Sequence, residues 1–195
     1  IGESAPAPDV ERLFASSTGK RFHTTLDLVW GFTQCDLTDE ASYALATVTK
    51  NNISFPTRGP FGPKNIPPQF QNKMHREFGT ITDPEGSSPG EPVCMVAIDD
   101  FKVSSKTYDE HVRQVCLVLR KAEEIGAEFK LDKSNFASDH AVYWGFDLSE
   151  HGRKPSAGKV QQLKEWPDYQ ALEDIRSHIH FVEYLKEFIP DLPER

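Results

Sequence analysis

Two acids set between two apolar runs constrain this chain more than any other feature. Val93–Ile98 reads as a strand of the buried type and Phe101–Ser104 as a second one, with only Asp99-Asp100 between them. That order is a hairpin with carboxylates at its tip. A third acid, Asp27, lies in a run of β-formers from Phe22 to Val29. Strand interiors disfavour aspartate, so an acid held there needs a reason. Neighbouring residues on a regular strand face opposite ways, and the turn decides which of Asp99 and Asp100 joins Asp27. By itself an Asp-Asp pair between strands is most often a solvated turn. If the acids converge, their like charges raise a pKa or call for cations. Two Mg²⁺ ions about 3.5–4 Å apart can clamp the attacking and leaving oxygens of a phosphoryl transfer. Mg²⁺ keeps waters and substrate phosphates among its ligands, which suits sparse aspartates.

The rest of the chain supplies a frame for such a hairpin. Its 195 residues are 37% hydrophobic and rich in Phe, enough for one globular domain with a small appendage. Residues 1–8 read as a polar, proline-rich lead-in, and Asp9 as the cap of a short helix with Val10, Leu13 and Phe14. Residues 38–50 carry a helix-to-strand signal, Asn51-Asn52 a turn, and Arg58–Pro68 a loop. A helix opens at Pro67-Pro68 and runs to about Glu77. The clearest helix spans Thr107–Ile125, with Val112, Val115, Cys116, Leu119 and Ala122 on one face and Gly126 as its stop. Short strands are expected at 127–131 and 140–148, and helices at Ser156–Trp166 and Leu172–Phe188. No apolar run approaches the ~18 residues of a membrane span, so no membrane partner is expected.

Several weaker signals read as ordinary. Cys35, Cys94 and Cys116 lie far apart, in no zinc spacing, and read as buried or free thiols. His178 and His180 are two residues apart on a helix and share no face. Arg153, Lys154, Lys159 and Lys164 could touch phosphates at the thumb, but a solvated face is the better reading. A net charge of −8 argues against strong autonomous binding to nucleic acid, where a basic face is the usual footprint.

The text around the acids resembles the reverse transcriptases of gypsy-type LTR retrotransposons. Thr25–Gln34 (TLDLVWGFTQ) is similar to their LDL-x-SGY-x-Q stretch, and Pro60–Pro67 with Phe70-Gln71 and Met74 to their PFGLKNAP-x-FQ-x-x-M motif. Val96–Asp100 stands in the place of Y-x-DD, and Ser105-Lys106-Thr107 with Glu110-His111 in that of SKT-x-EEH. Tyr143-Trp144-Gly145 stands where FLG lies, and Gly152, Pro155, Lys159-Val160, Trp166-Pro167 and Phe188–Pro190 continue the pattern. The resemblance covers about residues 9–190. It implies a mixed α/β (α+β) fold: a palm with an antiparallel sheet and packed helices over 9–150, partial fingers at about 33–66, and a thumb-like helical segment over 151–195. It also implies that Asp27, Asp99 and Asp100 bind Mg²⁺ or Mn²⁺ and carry catalysis. Phe32 would lie under the sugar of an incoming nucleotide, Phe61 and Gly62 near its base, and Trp144 and Gly145 at the primer end.

The sequence also departs from that pattern. Ala97 stands in place of the motif tyrosine, Asp83–Pro92 enlarges the connection before the acidic hairpin, and the turn near Asp132-Lys133 is slightly short. No stretch like the family's basic fingers precedes Asp9, and no RNase H, protease or integrase sequence follows Arg195. The expectation is a domesticated palm, not an autonomous polymerase, acting as a structural or nucleic-acid-contacting subunit of a larger, ribonucleoprotein-like assembly. Its partners would be RNA or DNA, protein subunits, or both. Its setting would be intracellular, with an organelle as one option. The alternative is a fragment of an active RNA-directed DNA polymerase using two Mg²⁺ ions for nucleotidyl transfer.

Overall fold

A computed structural model of the chain describes residues 17–190. The expected lead-in, the helix after Asp9 and the last five residues lie outside that range. The first half runs β1 (Phe22–Asp27), a 3-10 turn (Gly31–Gln34), α1 (Asp39–Ala44), β2 (Thr47–Val48), β3 (Ile53–Ser54) and α2 (Ile66–Phe78). Then come β4 (Cys94–Ala97), β5 (Asp100–Ser105), α3 (Tyr108–Ile125) and β6 (Asn135–Ser138). A three-stranded meander follows, β7 (His140–Tyr143), β8 (Phe146–Ser149) and β9 (Gly152–Pro155). The described chain closes with α4 (Ala157–Lys164), α5 (Leu172–Tyr184) and a 3-10 turn (Lys186–Phe188).

The main sheet has the order β4-β5-β1-β6 and its pairs are antiparallel. Alternation along its strands sends two different sets of residues to its two faces. Leu26, Val96, Phe101 and Val103 pack with Phe70, Met74 and Phe78 of α2 and with Val115, Val118 and Ala122 of α3 in one buried cluster. Ala97 and Met95 instead join Tyr143, Phe146, Leu148 and Leu185 in a second cluster under the meander and α5. The sheet is thus covered on both faces, as a mixed α/β architecture requires.

Helix α3 lies against the sheet by a different face from the one the apolar spacing suggests. His111, Gln114, Val115, Val118 and Ala122 are buried, whereas Val112 is 44% and Leu119 37% exposed and Cys116 is also exposed. Hydrogen bonds cause the rotation. His111 Nε2 meets Thr24 Oγ1 at 2.7 Å, its Nδ1 meets Ser105 Oγ at 3.0 Å, and Ser105 Oγ donates to Gln114 Oε1 at 2.6 Å. Polar side chains paired this way can occupy a core face that a hydrophobic count assigns outward.

The enlarged loop before β4 is clasped to the same helix. Arg113 forks onto both oxygens of buried Asp83 at 3.0 and 3.1 Å, and Glu110 accepts the Ser87 N–H at 2.6 Å. The Arg113 guanidinium holds the Asp83 carboxyl below the usual range.

Two expectations about strands need correction. Residues 127–131 form no strand of their own and touch β1 only through the bridge Leu28–Phe129 and backbone bonds from Val29 and Lys130. The expected strand 140–148 is two strands, because Trp144 (φ 51°) and Gly145 (φ 75°) make a two-residue turn. Paired positive φ angles match the twist of a hairpin, and Gly at the second position was the signal for it. The other expected helices are present with small shifts of their ends, and Thr38, Thr107 and Ser156 cap α1, α3 and α4. The cysteines are free. His178 stacks on Trp166 with ring centroids 4.4 Å apart, and His180 faces Glu183. Arg153 pairs with Glu187, Lys154 with Asp147, and Lys159 lies over the Phe181 ring. No helix among the described residues is long and apolar enough to cross a membrane.

The buried histidines give the fold a pH signature. Burial, followed by the charges of Lys102 and His111, pushes His23 down to about 4, and burial likewise takes His111 to about 4. Both folded values lie below the ordinary 6.5, so between 6.5 and 4 the unfolded chain binds protons that the folded chain excludes. Stability is therefore full above pH 6.5 and falls as pH drops toward 4, on the order of 2–3 kcal/mol per histidine at the low end. Urea denaturation at pH 7 and pH 5 is expected to show a lower midpoint at pH 5; equal midpoints would contradict this.

Candidate functional site

The acidic hairpin closes on a two-residue turn, Ile98-Asp99, with Ala97 paired to Asp100 across it. Ile98 adopts φ 58°, a left-handed value that is an outlier for a β-branched side chain. Such strain persists only where surrounding structure enforces it, and it concentrates at functional sites. Here the enforcement comes from α2: buried Gln71 accepts the Ile98 N–H with its Oε1 and donates its Nε2 to the Val96 carbonyl at 3.4 Å. Gln71 stands within the motif that includes Phe70 and Met74, but no sequence spacing marks it as this clamp.

Strand pairing then brings the third acid alongside. β1 and β5 run antiparallel with Asp27 opposite Asp100, and each step along β1 from Phe22 is matched by one along β5 from Ser105. Directly opposed side chains share a face and sit within about 5.5 Å at Cβ. Asp99 reaches the group from the turn. Burial and the charge of Asp27 hold its carboxyl above the ordinary carboxylate range. Asp100 is raised as well, by its crowded surroundings and then by the charges of Asp27 and Asp99. The charge of Asp27 thus acts on both Asp99 and Asp100, and that of Asp99 on Asp100.

A glycine makes the space for one of them. A Cβ at Gly31 would lie 2.7 Å from Asp99 Oδ1 and 3.1 Å from the tip of Phe70. Asp99 Oδ1 itself is buried with no hydrogen-bond partner. A buried carboxylate oxygen left without a donor is costly, and a cation is the ligand that relieves it. That orphaned oxygen and the raised carboxyls of Asp99 and Asp100 fit a divalent cation. Among the described residues no three His, Cys, Asp or Glu side chains already surround one point as a closed ligand set. Sparse protein ligation leaves room for water and phosphate oxygens, the arrangement Mg²⁺ favours.

The other residues singled out in the sequence fall into two groups around the turn. Phe32 packs edge-on against Phe70 at 5.2 Å and against Phe61 at 5.5 Å, which places it beside Gly31 and Asp99. Phe61 is 62% exposed and Gly62 is exposed next to it. Trp144 and Gly145 belong to the second group, at the β7–β8 turn, where the Trp144 carbonyl accepts the Tyr184 hydroxyl. A Cβ at Gly145 would meet Lys159 Cε at 2.7 Å, so this turn is pressed against α4. A cleft of about 330 Å³ opens beside the acids, bordered by Asp27, Asp100, Lys133, Val142 and Tyr143.

The raised carboxylates predict a stability trade. A carboxylate whose folded pKa is raised costs stability above that pKa and stops costing it as pH falls below the unfolded value. Asp99→Asn is therefore expected to raise the stability of the metal-free chain at pH 7 by about 1 kcal/mol, the scale of an unpaired buried acceptor. The gain should vanish in thermal melts below pH 4; a loss at pH 7 would contradict it.

Comparison with known proteins then gives the setting. No family model matches the chain. It is 30% identical over 191 residues to the retrovirus-related Pol polyprotein from transposon opus of Drosophila melanogaster, covering 98% of this chain and 18% of that protein. It is 27% identical over 192 residues to the corresponding polyprotein from transposon gypsy of the same fly, again 98% and 18%. The chain thus spans less than a fifth of these relatives. A foamy viral protease-reverse transcriptase solved with double-stranded DNA superposes with a TM-score of 0.82 at 20% identity, covering 98% of this chain and 32% of that one.

Proposed function

Because this chain belongs to the reverse-transcriptase-like family found in retrovirus-related Pol polyproteins of gypsy-type transposons, we propose that its three carboxylates form the cation site of a template-directed nucleotidyl transfer. The observation that carries this reading is the register pair Asp27–Asp100 with Asp99 beside it, where the charge of Asp27 opposes ionisation of both acids of the hairpin. Like charges gathered in this way are a cost to folding unless a ligand uses them.

In this reading Asp27, Asp99 and Asp100 hold Mg²⁺ or Mn²⁺, which when bound lowers the charge barrier to attack on a phosphorus and steadies the leaving oxygen. The residues themselves set position. Gln71 fixes the turn that presents Asp99. Gly31 leaves the gap in which its Oδ1 lies. The Phe32–Phe61 pair offers an apolar wall beside Asp99 for a sugar and base, and the Trp144-Gly145 turn supports a primer end near Asp100. Orientation of this kind is a large share of phosphoryl-transfer catalysis. The substrates would be a nucleoside triphosphate and an RNA- or DNA-templated primer.

A second reading keeps the fold without the full chemistry: a domesticated palm serving as a structural or nucleic-acid-contacting subunit of a larger assembly. One observation favours it. Position 97, whose family counterpart is tyrosine, is an alanine that is only 1% exposed, so nothing at that position reaches a template. Packing and catalysis rest on different residues, and a fold can outlast its activity.

Primer extension separates the two. With Mg²⁺, nucleotides and a primed RNA template, the polymerase reading expects extension that Asp99→Asn lowers at least about a hundredfold, since it removes an electrostatic contact at the reacting centre. Gly31→Ala, which drives a Cβ into Asp99, should lower it about tenfold with the fold retained. No extension by the wild-type chain, alongside retained binding of primed template, would favour the scaffold instead.

A further inference from the structure

The tyrosine missing at position 97 has a neighbour that the family pattern does not have. Where the resemblance places Phe in FLG this chain carries Tyr143, and where it places Tyr in Y-x-DD this chain carries Ala97. The two lie in the same buried cluster, Tyr143 3% and Ala97 1% exposed. The Tyr143 hydroxyl donates to the backbone carbonyl of Asp100 at 3.2 Å, bonding the last residue of β7 to the first residue of β5. Below the ring lies the fully buried Lys102, its Nζ 5.1 Å from the ring centre and hydrogen-bonded to Ser17. Burial, then the charge of Lys20, pushes that amine down to about 7.

Two constraints therefore fix the phenol. Its ring is buried in the cluster that also holds Ala97, with the Lys102 amine 5.1 Å from its centre, and close packing leaves such a ring few alternative rotamers. Its oxygen is spent on one acceptor, the carbonyl of a residue whose side chain faces Asp27. A phenylalanine would keep the packing and lose only the bond.

We propose that Tyr143 is a positioning residue for the acidic turn, tying the hairpin that carries Trp144 and Gly145 to Asp100 so that the three carboxylates keep one spacing. The claim rests on reading those carboxylates as a cation site. It makes the β7–β8 hairpin and the acidic turn one mechanical unit, so that a shift of Trp144 is felt at Asp100. A tyrosine from the meander thereby steadies the turn in a chain whose own turn strand has only alanine.

The test uses the full chain and its Tyr143→Phe variant, with Mn²⁺ as the probe. Three quantities are compared: amide hydrogen exchange, Mn²⁺ affinity by electron paramagnetic resonance, and kcat and KM for primer extension. Loss of the bond is expected to speed exchange at residues 98–100 about tenfold while leaving α3 unchanged. Mn²⁺ affinity should fall about tenfold, the effect typical of losing a group that orients a metal ligand, and kcat should fall with the nucleotide KM unchanged. Faster exchange across the whole sheet and α3, with Mn²⁺ affinity intact, would reduce Tyr143 to packing and overturn the proposal. So would a variant indistinguishable from wild type. If the wild-type chain binds no Mn²⁺, the cation-site reading fails, and exchange at 98–100 still decides whether Tyr143 holds the turn.

Discussion

The pairing of β1 with β5 is the interaction on which the rest of the molecule depends. It aligns Leu26 with Phe101 and Asp27 with Asp100 in consecutive steps, so one register fixes both the core and the site. A slip of one residue would turn Leu26 out of the α2–α3 core and carry Asp27 to the helix side, because side chains on a strand alternate. Hydrophobic burial in the core thus enforces the meeting of charges that would otherwise repel. The apolar residues supply the energy, and the acids spend part of it. His111 adds specificity to the same pairing by binding Thr24 of β1 and Ser105 of β5 at once.

The acidic turn concentrates several costs in a few residues. Ile98 is left-handed, Asp99 keeps an oxygen without a donor, and Asp99 and Asp100 resist ionisation. Each is the kind of local violation that a folded protein tolerates where function needs it. The supports come from three separate elements: Gln71 from α2, Gly31 from the turn after β1, and Tyr143 from β7. Trp30 and Trp144 are also at positive φ, next to Gly31 and Gly145.

Much of this was legible in the residues themselves. A hairpin bearing Asp99 and Asp100, a β-run carrying Asp27 and helices starting after Thr107 and Ser156 follow from local pattern. The turn, however, falls at Ile98-Asp99 with Asp100 already in β5, and β1 stops at Asp27 short of Val29. What pattern missed has a common physical cause. The inward face of α3 is chosen by hydrogen bonds from His111 and Gln114 to strands far away in sequence, and an apolar count is blind to such partners. The turn at Trp144-Gly145 splits what looks like one strand, and Gly145 was its single cue within an otherwise continuous β-forming run. Gly31, Gln71 and Tyr143 matter through contacts to Asp99, Ile98 and Asp100 that no short-range spacing encodes.

Whether the three acids act as one cation site is the question on which the function of this turn depends. Paramagnetic broadening by substoichiometric Mn²⁺, followed residue by residue in the NMR spectrum of the intact chain, reads this directly. Signals of Asp27, Asp99 and Asp100 should broaden first and together, ahead of the many other acids on this chain of net charge −8. Broadening spread evenly over the acidic surface, with these three no more affected than the rest, would contradict the account.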